Sequence, residues 1–304
     1  MHRLGREVAT ELATRTIQAG ERELCLEVAG DGPAGTVIVC SGTPNSRHLY
    51  APWVEDALAR GLRLVGYDRP GYGGSTPHPG RSVADGATEV QAIATALELD
   101  RVAVWGFSGG GPYAVACAAL LPDLVSAAGV VCSLAPYGAP GLDFFAGMGE
   151  DNIDDIKLVL SDPRAAREKL RKDWEEELRV TPDGVVEAWK SLLTPADAAV
   201  ATGQFASWLV ETIQIGLAPG DEGWWEDGQA HTSPWGFELD SIRVPVKVWH
   251  GRHDRFVAIQ HGQWLAKHIP GAEAELSDED GHLTLLVNRV PEVHEWLVGH
   301  LPGG

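Results

Sequence analysis

Apolar positions along this chain recur with two periods. Arg15-Thr16-Ile17-Gln18 and Glu23-Leu24-Cys25-Leu26-Glu27-Val28 alternate polar and apolar residues on either side of Ala19-Gly20-Glu21-Arg22. That period-two pattern predicts an opening antiparallel hairpin. After Asp31-Gly32-Pro33 come near-continuous apolar runs at 36–40, 62–67, 102–105, 127–132 and 244–249, the texture of strands buried on both faces of a parallel sheet. Between these runs the apolar spacing is helical: through Trp53, Val54 and Leu58, over 83–99 at Val90, Ile93, Ala94 and Leu97, over 113–121 in small residues, and around 260–268. A short strand at 274–277 and a closing helix over 283–301 complete the pattern. Strands alternating with helices call for a mainly parallel sheet with helices on both faces and right-handed crossovers.

The texture changes near Pro136. Tyr137-Gly138-Ala139-Pro140-Gly141 reads as a linker, and the next hundred residues are helical and acidic with no buried-strand run. Ser161-Asp162-Pro163, Thr181-Pro182-Asp183 and Thr194-Pro195-Ala196 each set a capping residue before a proline and mark three helix starts. Six of the eleven tryptophans, Trp174, Trp189, Trp208, Trp224, Trp225 and Trp235, fall here, either as the underside of a lid or as helix packing. The expected fold is α/β: a doubly wound, mostly parallel sheet formed by residues 1–135 and 241–304, with an inserted helical cap over 136–240.

The 304 residues suffice for one large core plus such an insertion. A formal net charge of −19 repels phosphate backbones and anionic lipid. The expected partner is therefore a small-molecule substrate, with neither nucleic acid nor a membrane, and a homo-oligomer is compatible with the composition. Met1-His2-Arg3-Leu4-Gly5-Arg6-Glu7-Val8 leads into no apolar signal-type run, so a cytoplasmic location is expected. Residues 102–122 carry no charge over nearly a bilayer's length, but three consecutive glycines and a proline in the middle suit a buried strand and helix better. Cys25, Cys40, Cys117 and Cys132 stand singly in apolar stretches, as small buried side chains do.

The most informative stretch is Val102-Ala103-Val104-Trp105-Gly106-Phe107-Ser108-Gly109-Gly110, a strand running into a tight turn ahead of a helix. G-x-S-x-G in that setting thrusts a serine out at the carboxyl edge of a sheet. As a dinucleotide G-x-G-x-x-G it fails, because Ser108 takes the place where backbone must approach pyrophosphate. His250, His253 and Asp254 suggest metal ligands by type, but no second cluster accompanies them, and neither a metal nor a cofactor is expected. Asp68 and Arg69 are expected to brace the Gly-rich loop 68–75 as an ion pair, with Tyr72 near the cleft. Asp278, Glu279 and Asp280 are expected to form a solvated loop.

On these residues the chain resembles α/β-hydrolase fold serine hydrolases with a helical cap, over roughly 20–135 and 240–300. The resemblance implies a nucleophile, acid and histidine in that chain order, matched here by Ser108, Asp254 and His282 at strand ends. It also implies two backbone N–H donors for an oxyanion, at Gly109 and Thr43. The family's H-G-x-P-G loop stands here as Ser41-Gly42-Thr43-Pro44-Asn45, so the histidine that usually anchors the loop is absent. Ser108 in the elbow excludes an aspartate-nucleophile enzyme. The expected reaction is hydrolysis of a carboxylic ester or lactone through an acyl-enzyme. Glu150, Asp151, Asp154 and Asp155 leave open an aminopeptidase of the proline-iminopeptidase kind, and a ligand-binding protein that retains the triad is a third reading.

Overall fold

In the computed structural model, which describes residues 12–301, the opening pattern forms the antiparallel hairpin of β1 (Leu12–Ala19) and β2 (Arg22–Ala29), closed by Gly20 and Glu21. Gly20 takes a left-handed φ of 65°, which glycine adopts without steric cost. The sequence from Met1 to Val8 that bears on targeting lies outside the described residues.

The buried runs become β3 (Gly35–Cys40), β4 (Leu62–Tyr67), β5 (Val102–Phe107), β6 (Val125–Val131) and β7 (Val246–Gly251), joined at the far edge by β8 (Glu273–Ser277). The eight strands lie in the order β1-β2-β4-β3-β5-β6-β7-β8, with β1 and β2 antiparallel and the rest parallel. Helices α1 (Ala51–Ala59), α2 (Asp85–Ala96) and α3 (Gly111–Leu120) make the first crossovers. The α/β expectation holds, and the uncharged stretch 102–122 divides into β5, a turn and α3. No described helix is long and apolar enough to cross a membrane.

Between β6 and β7 the chain runs through α4 (Glu150–Ser161), α5 (Pro163–Glu177), α6 (Val185–Ala188), α7 (Pro195–Val200), α8 (Gly203–Leu217) and α9 (Glu222–Thr232). Asp162 and Thr194 accept the backbone N–H of Ala165 and Asp197, the capping role their places before proline suggest. The segment Pro182–Gly184 makes only a single tight turn before α6. Trp208 on α8 packs into the core against Tyr50, Trp53 and Phe205 at centroid separations of 5.3, 4.8 and 5.5 Å, so this part of the insertion shares the sheet's apolar core. By contrast α4 buries no residue fully and α5 only Ala166.

After β7 come α10 (Ile259–His268), β8, and then two helices, α11 (His282–Asn288) and α12 (Val290–Val298), where the sequence predicts one over 283–301. The break falls at Arg289. Pro291 has no N–H to extend the earlier ladder, but suits the first turn of a new helix.

Candidate active site

Ser108 occupies the turn between β5 and α3 with φ of 53°, a left-handed conformation that is unfavourable for a residue with a Cβ. The glycines around it are sterically required. A Cβ on Gly106 would run into the Gly110 carbonyl, and one on Gly110 into the carbonyls of Cys40 and Ser41 at the end of β3. The elbow is thus pressed against the neighbouring strand end, and the loop that follows β3 is brought to Ser108.

His282 and Asp254 meet as their order suggests, with Nδ1 of His282 2.7 Å from Oδ2 of Asp254. The other carboxylate oxygen accepts the backbone N–H of Phe256 at 2.9 Å and of Val257 at 2.8 Å, fixing the loop after β7. Phe256 stacks on the imidazole, with centroids 4.6 Å apart and planes inclined by 23°. Burial pulls the His282 pKa down, but the adjacent Asp254 carboxylate outweighs it and holds the ring well above its ordinary value. His282 and Ser108 line the same cavity, of about 590 Å³, together with Gly109 and Thr43. Gly109 and Thr43 are neighbours: a Cβ on Gly109 would collide with the Thr43 hydroxyl. Among the described residues no hydrogen bond joins Ser108 to His282; such contacts are often long until substrate arrives.

Several residues at the site carry no signal in their local sequence. Cys132 follows β6 with φ of 41°, and its Sγ lies within 4.8 Å of ligand-type atoms of both Asp254 and His282. It is fully buried, and burial raises its pKa, which keeps the thiol neutral beside the imidazole. Asp197, from α7, accepts the backbone N–H groups of His282, Leu283 and Thr284 at 3.2, 2.8 and 3.1 Å. It therefore caps α11 from across the fold. Gly281 is required there, since a Cβ would strike the Asp197 carboxylate.

Two expectations are corrected. Asp68 does not pair with Arg69: it holds the side chain and backbone N–H of Arg47, each at 2.7 Å, while Arg69 turns inward to Asp227 at 2.5 Å. A buried guanidinium needs a buried carboxylate, and that partner comes from α9, 158 positions away. The loop at 278–280 is only partly solvated. Asp278 is exposed beside Arg252, but Asp280 is buried and bonded to Arg289 at 2.8 Å. His250 is buried, and its Nε2 donates to the Val257 carbonyl at 2.7 Å, so it supports the Asp254 loop. Of the two other residues grouped with it by type, Asp254 is engaged by His282.

The six tryptophans divide. Trp189, Trp224 and Trp225 line the cavity, whereas Trp208 and Trp235 are buried in packing and Trp174 donates to the Leu217 carbonyl.

Residues 35–289 match the model of the alpha/beta hydrolase fold family, and the chain belongs to that family. It is a hydrolytic enzyme. It is 27% identical over 263 residues to the pimeloyl-[acyl-carrier protein] methyl ester esterase of Nitrosomonas europaea, covering 86% of this chain and 93% of that one. It is 25% identical over 286 residues to a 2-hydroxy-6-oxononadienedioate/2-hydroxy-6-oxononatrienedioate hydrolase of Cupriavidus pinatubonensis, covering 88% and 87%. The crystal structure of the enol-lactonase from Burkholderia xenovorans superposes with a TM-score of 0.63 at 20% identity, over 95% of this chain and 99% of that one.

Replacing Asp197 with Ala leaves three buried N–H groups at the start of α11 without their acceptor. The expected loss is about 3 kcal/mol of stability, read as a lower urea midpoint with unchanged slope at pH 7.

Proposed function

We propose that the chain is a serine hydrolase that cleaves a carboxylic ester or lactone of a small, partly apolar molecule. The observation that carries this reading is the hydrogen-bonded His282–Asp254 pair on the cavity that also exposes a strained elbow serine. A serine hydroxyl is a weak nucleophile until a base removes its proton. In the proposed course, Ser108 Oγ attacks the carbonyl carbon as His282 takes the hydroxyl proton. The C=O pair moves onto oxygen, facing the backbone N–H groups of Gly109 and Thr43. Collapse expels the alcohol, which receives the proton from His282. Water, deprotonated by the same ring, then releases the acid and restores Ser108. Asp254 would hold the tautomer and stabilise the imidazolium. The helices between β6 and β7 serve as the cap, and the acidic surface favours a small-molecule substrate in the cytoplasm.

The fixed charge of the cavity narrows the substrate. Asp151, Asp155, Asp173, Glu176 and Glu177 line it, against a single lysine among the described lining residues, Lys169. That lysine is already paired with Asp155 at 2.8 Å and Asp173 at 2.7 Å. A dioate, the substrate in the Cupriavidus relative's name, would meet no free lysine or arginine among the described lining residues. An ester, as in the Nitrosomonas relative's name, or a lactone, as in the Burkholderia enzyme's, suits this wall if uncharged or cationic. The same carboxylates favour the second reading, an aminopeptidase that holds a free amine at Asp151 and Asp155. Glu150 and Asp154, the other two acids considered for that role, are exposed and do not line the cavity.

A fluorophosphonate probe should label the wild type and leave Ser108→Ala unlabelled. An unlabelled wild type would overturn the assignment of Ser108 as the nucleophile. Turnover of p-nitrophenyl butyrate should exceed that of aminoacyl-p-nitroanilides, and the reverse order would give the aminopeptidase reading precedence. The base must be neutral to act, and Asp254 raises its pKa. The acid limb of kcat/KM is therefore expected above pH 6.5 in the wild type, moving to lower pH in Asp254→Asn. That variant should also lose about 10⁴ in kcat, measured across a pH series.

A further inference from the structure

The loop after β3 lacks its usual anchoring side chain, yet it is held. Arg69 donates to the carbonyls of Ser41 and Gly42, the latter at 3.1 Å, and to the Thr43 hydroxyl at 3.2 Å. The Thr43 hydroxyl in turn donates to Oδ2 of Asp227 at 2.5 Å. Asp227 is saturated. Oδ2 also accepts from Arg69 at 2.5 Å and Tyr72 at 2.8 Å, while Oδ1 accepts from Tyr113 at 2.7 Å and from Arg69 at 3.3 Å and forms an ion pair with Arg81 at 2.7 Å. All of these acidic, basic and phenolic side chains are buried. Burial alone would push the Asp227 carboxyl up, but Arg69 and Arg81 outweigh it and hold it well below the usual carboxylate range. One turn along α9, His231 sets its Nε2 2.9 Å from the Gly109 carbonyl. Burial lowers its pKa to about 4, so the ring is neutral at pH 7. Its Nε2–H then donates to that carbonyl.

We propose that Asp227 is a positioning residue for the reaction: through the Thr43 hydroxyl and Arg69 it aims the Thr43 N–H at the oxyanion, replacing the missing loop anchor with a carboxylate from the cap. The proposal rests on the acyl-enzyme reading above. Transition-state stabilisation is then coupled to α9, which is locked to the core and does not open as a lid. A merely structural Asp227 would affect folding alone. A positioning Asp227 affects binding of an oxyanion more than binding of a carbonyl substrate.

The test uses Thr43→Val, which keeps shape and backbone N–H but removes the hydroxyl, with Thr43→Ser as rescue and Asp227→Asn as the second site. For p-nitrophenyl acetate, Thr43→Val should lose roughly 10- to 100-fold in kcat with KM within about threefold. The inhibition constant of benzeneboronic acid, whose Ser108 adduct is a tetrahedral anion, should rise in step. Thr43→Ser should recover most of both, and the double variant should be no worse than Asp227→Asn, since both remove one interaction. A Thr43→Val enzyme within twofold of wild type, kcat losses that multiply in the double variant, or a fall in kcat with unchanged boronate affinity would each overturn the proposal. If Asp227→Asn fails to fold, the valine and serine pair decides alone. Wild type unlabelled by fluorophosphonate overturns the acyl-enzyme reading and this proposal together. Labelled wild type with an unaffected Thr43→Val overturns this proposal only.

Discussion

The carboxylate of Asp227 is the constraint on which the rest of the site depends. A charge removed from water is tolerated only when every lone pair is matched, and here two guanidinium groups and three hydroxyls do so. Those donors come from four separate segments of the core: the loop after β3, the loop after β4, the approach to α2, and α3 behind the elbow. Arg69 lies 5.2 and 5.1 Å from the ring centres of Tyr72 and Tyr113, so the aromatic groups that hydrogen-bond the acid also cover its partner. Withdrawing α9 would leave two buried cations uncompensated. The insertion and the core must therefore assemble as one unit.

A second carboxylate from the same insertion acts at the start of α11. Asp197 holds the first three N–H groups of α11, and so fixes the backbone from which His282 projects. The insertion thus reaches the loop after β3 through Asp227 and the start of α11 through Asp197. Meanwhile the strained serine is held from below by the contact of Gly110 with the end of β3. Strain of this kind persists only where the surroundings over-determine the backbone. The part of the insertion that bears the cavity's acidic wall, α4 and α5, is by contrast weakly buried. The anchoring carboxylates and the cavity's acidic wall lie on different helices.

What was legible in the sequence was what short-range physics dictates. Period-two and continuous apolar runs gave the strands, because a sheet buries residues by alternation or on both faces. Proline and its capping neighbours gave helix starts, because a missing N–H is harmless only there. The elbow around Ser108 has a local signal, strand into Gly-rich turn into helix, whereas Asp254 and His282 follow from the chain order that the family resemblance implies at strand ends. The apolar pattern runs on through 283–301 without marking the break at Arg289, which rests on a single residue, Pro291.

Long-range pairing had no such trace. Arg69 follows Asp68 in the chain, and adjacency suggested the wrong ion pair; backbone direction sends the two side chains to different partners, Arg47 for the acid and Asp227 for the base. Asp197, Asp227, His231 and Cys132 sit in ordinary surroundings by composition, and acquire their roles from which groups the sheet order and the returning helices set beside them. The sequence by itself determined most of the elements and the elbow serine, and through the family resemblance it pointed to the acid and histidine at two further strand ends. Only the tertiary structure decided how the loop after β3 is held, because a buried charge chooses its partners by proximity in space, and proximity is a property of the packed chain.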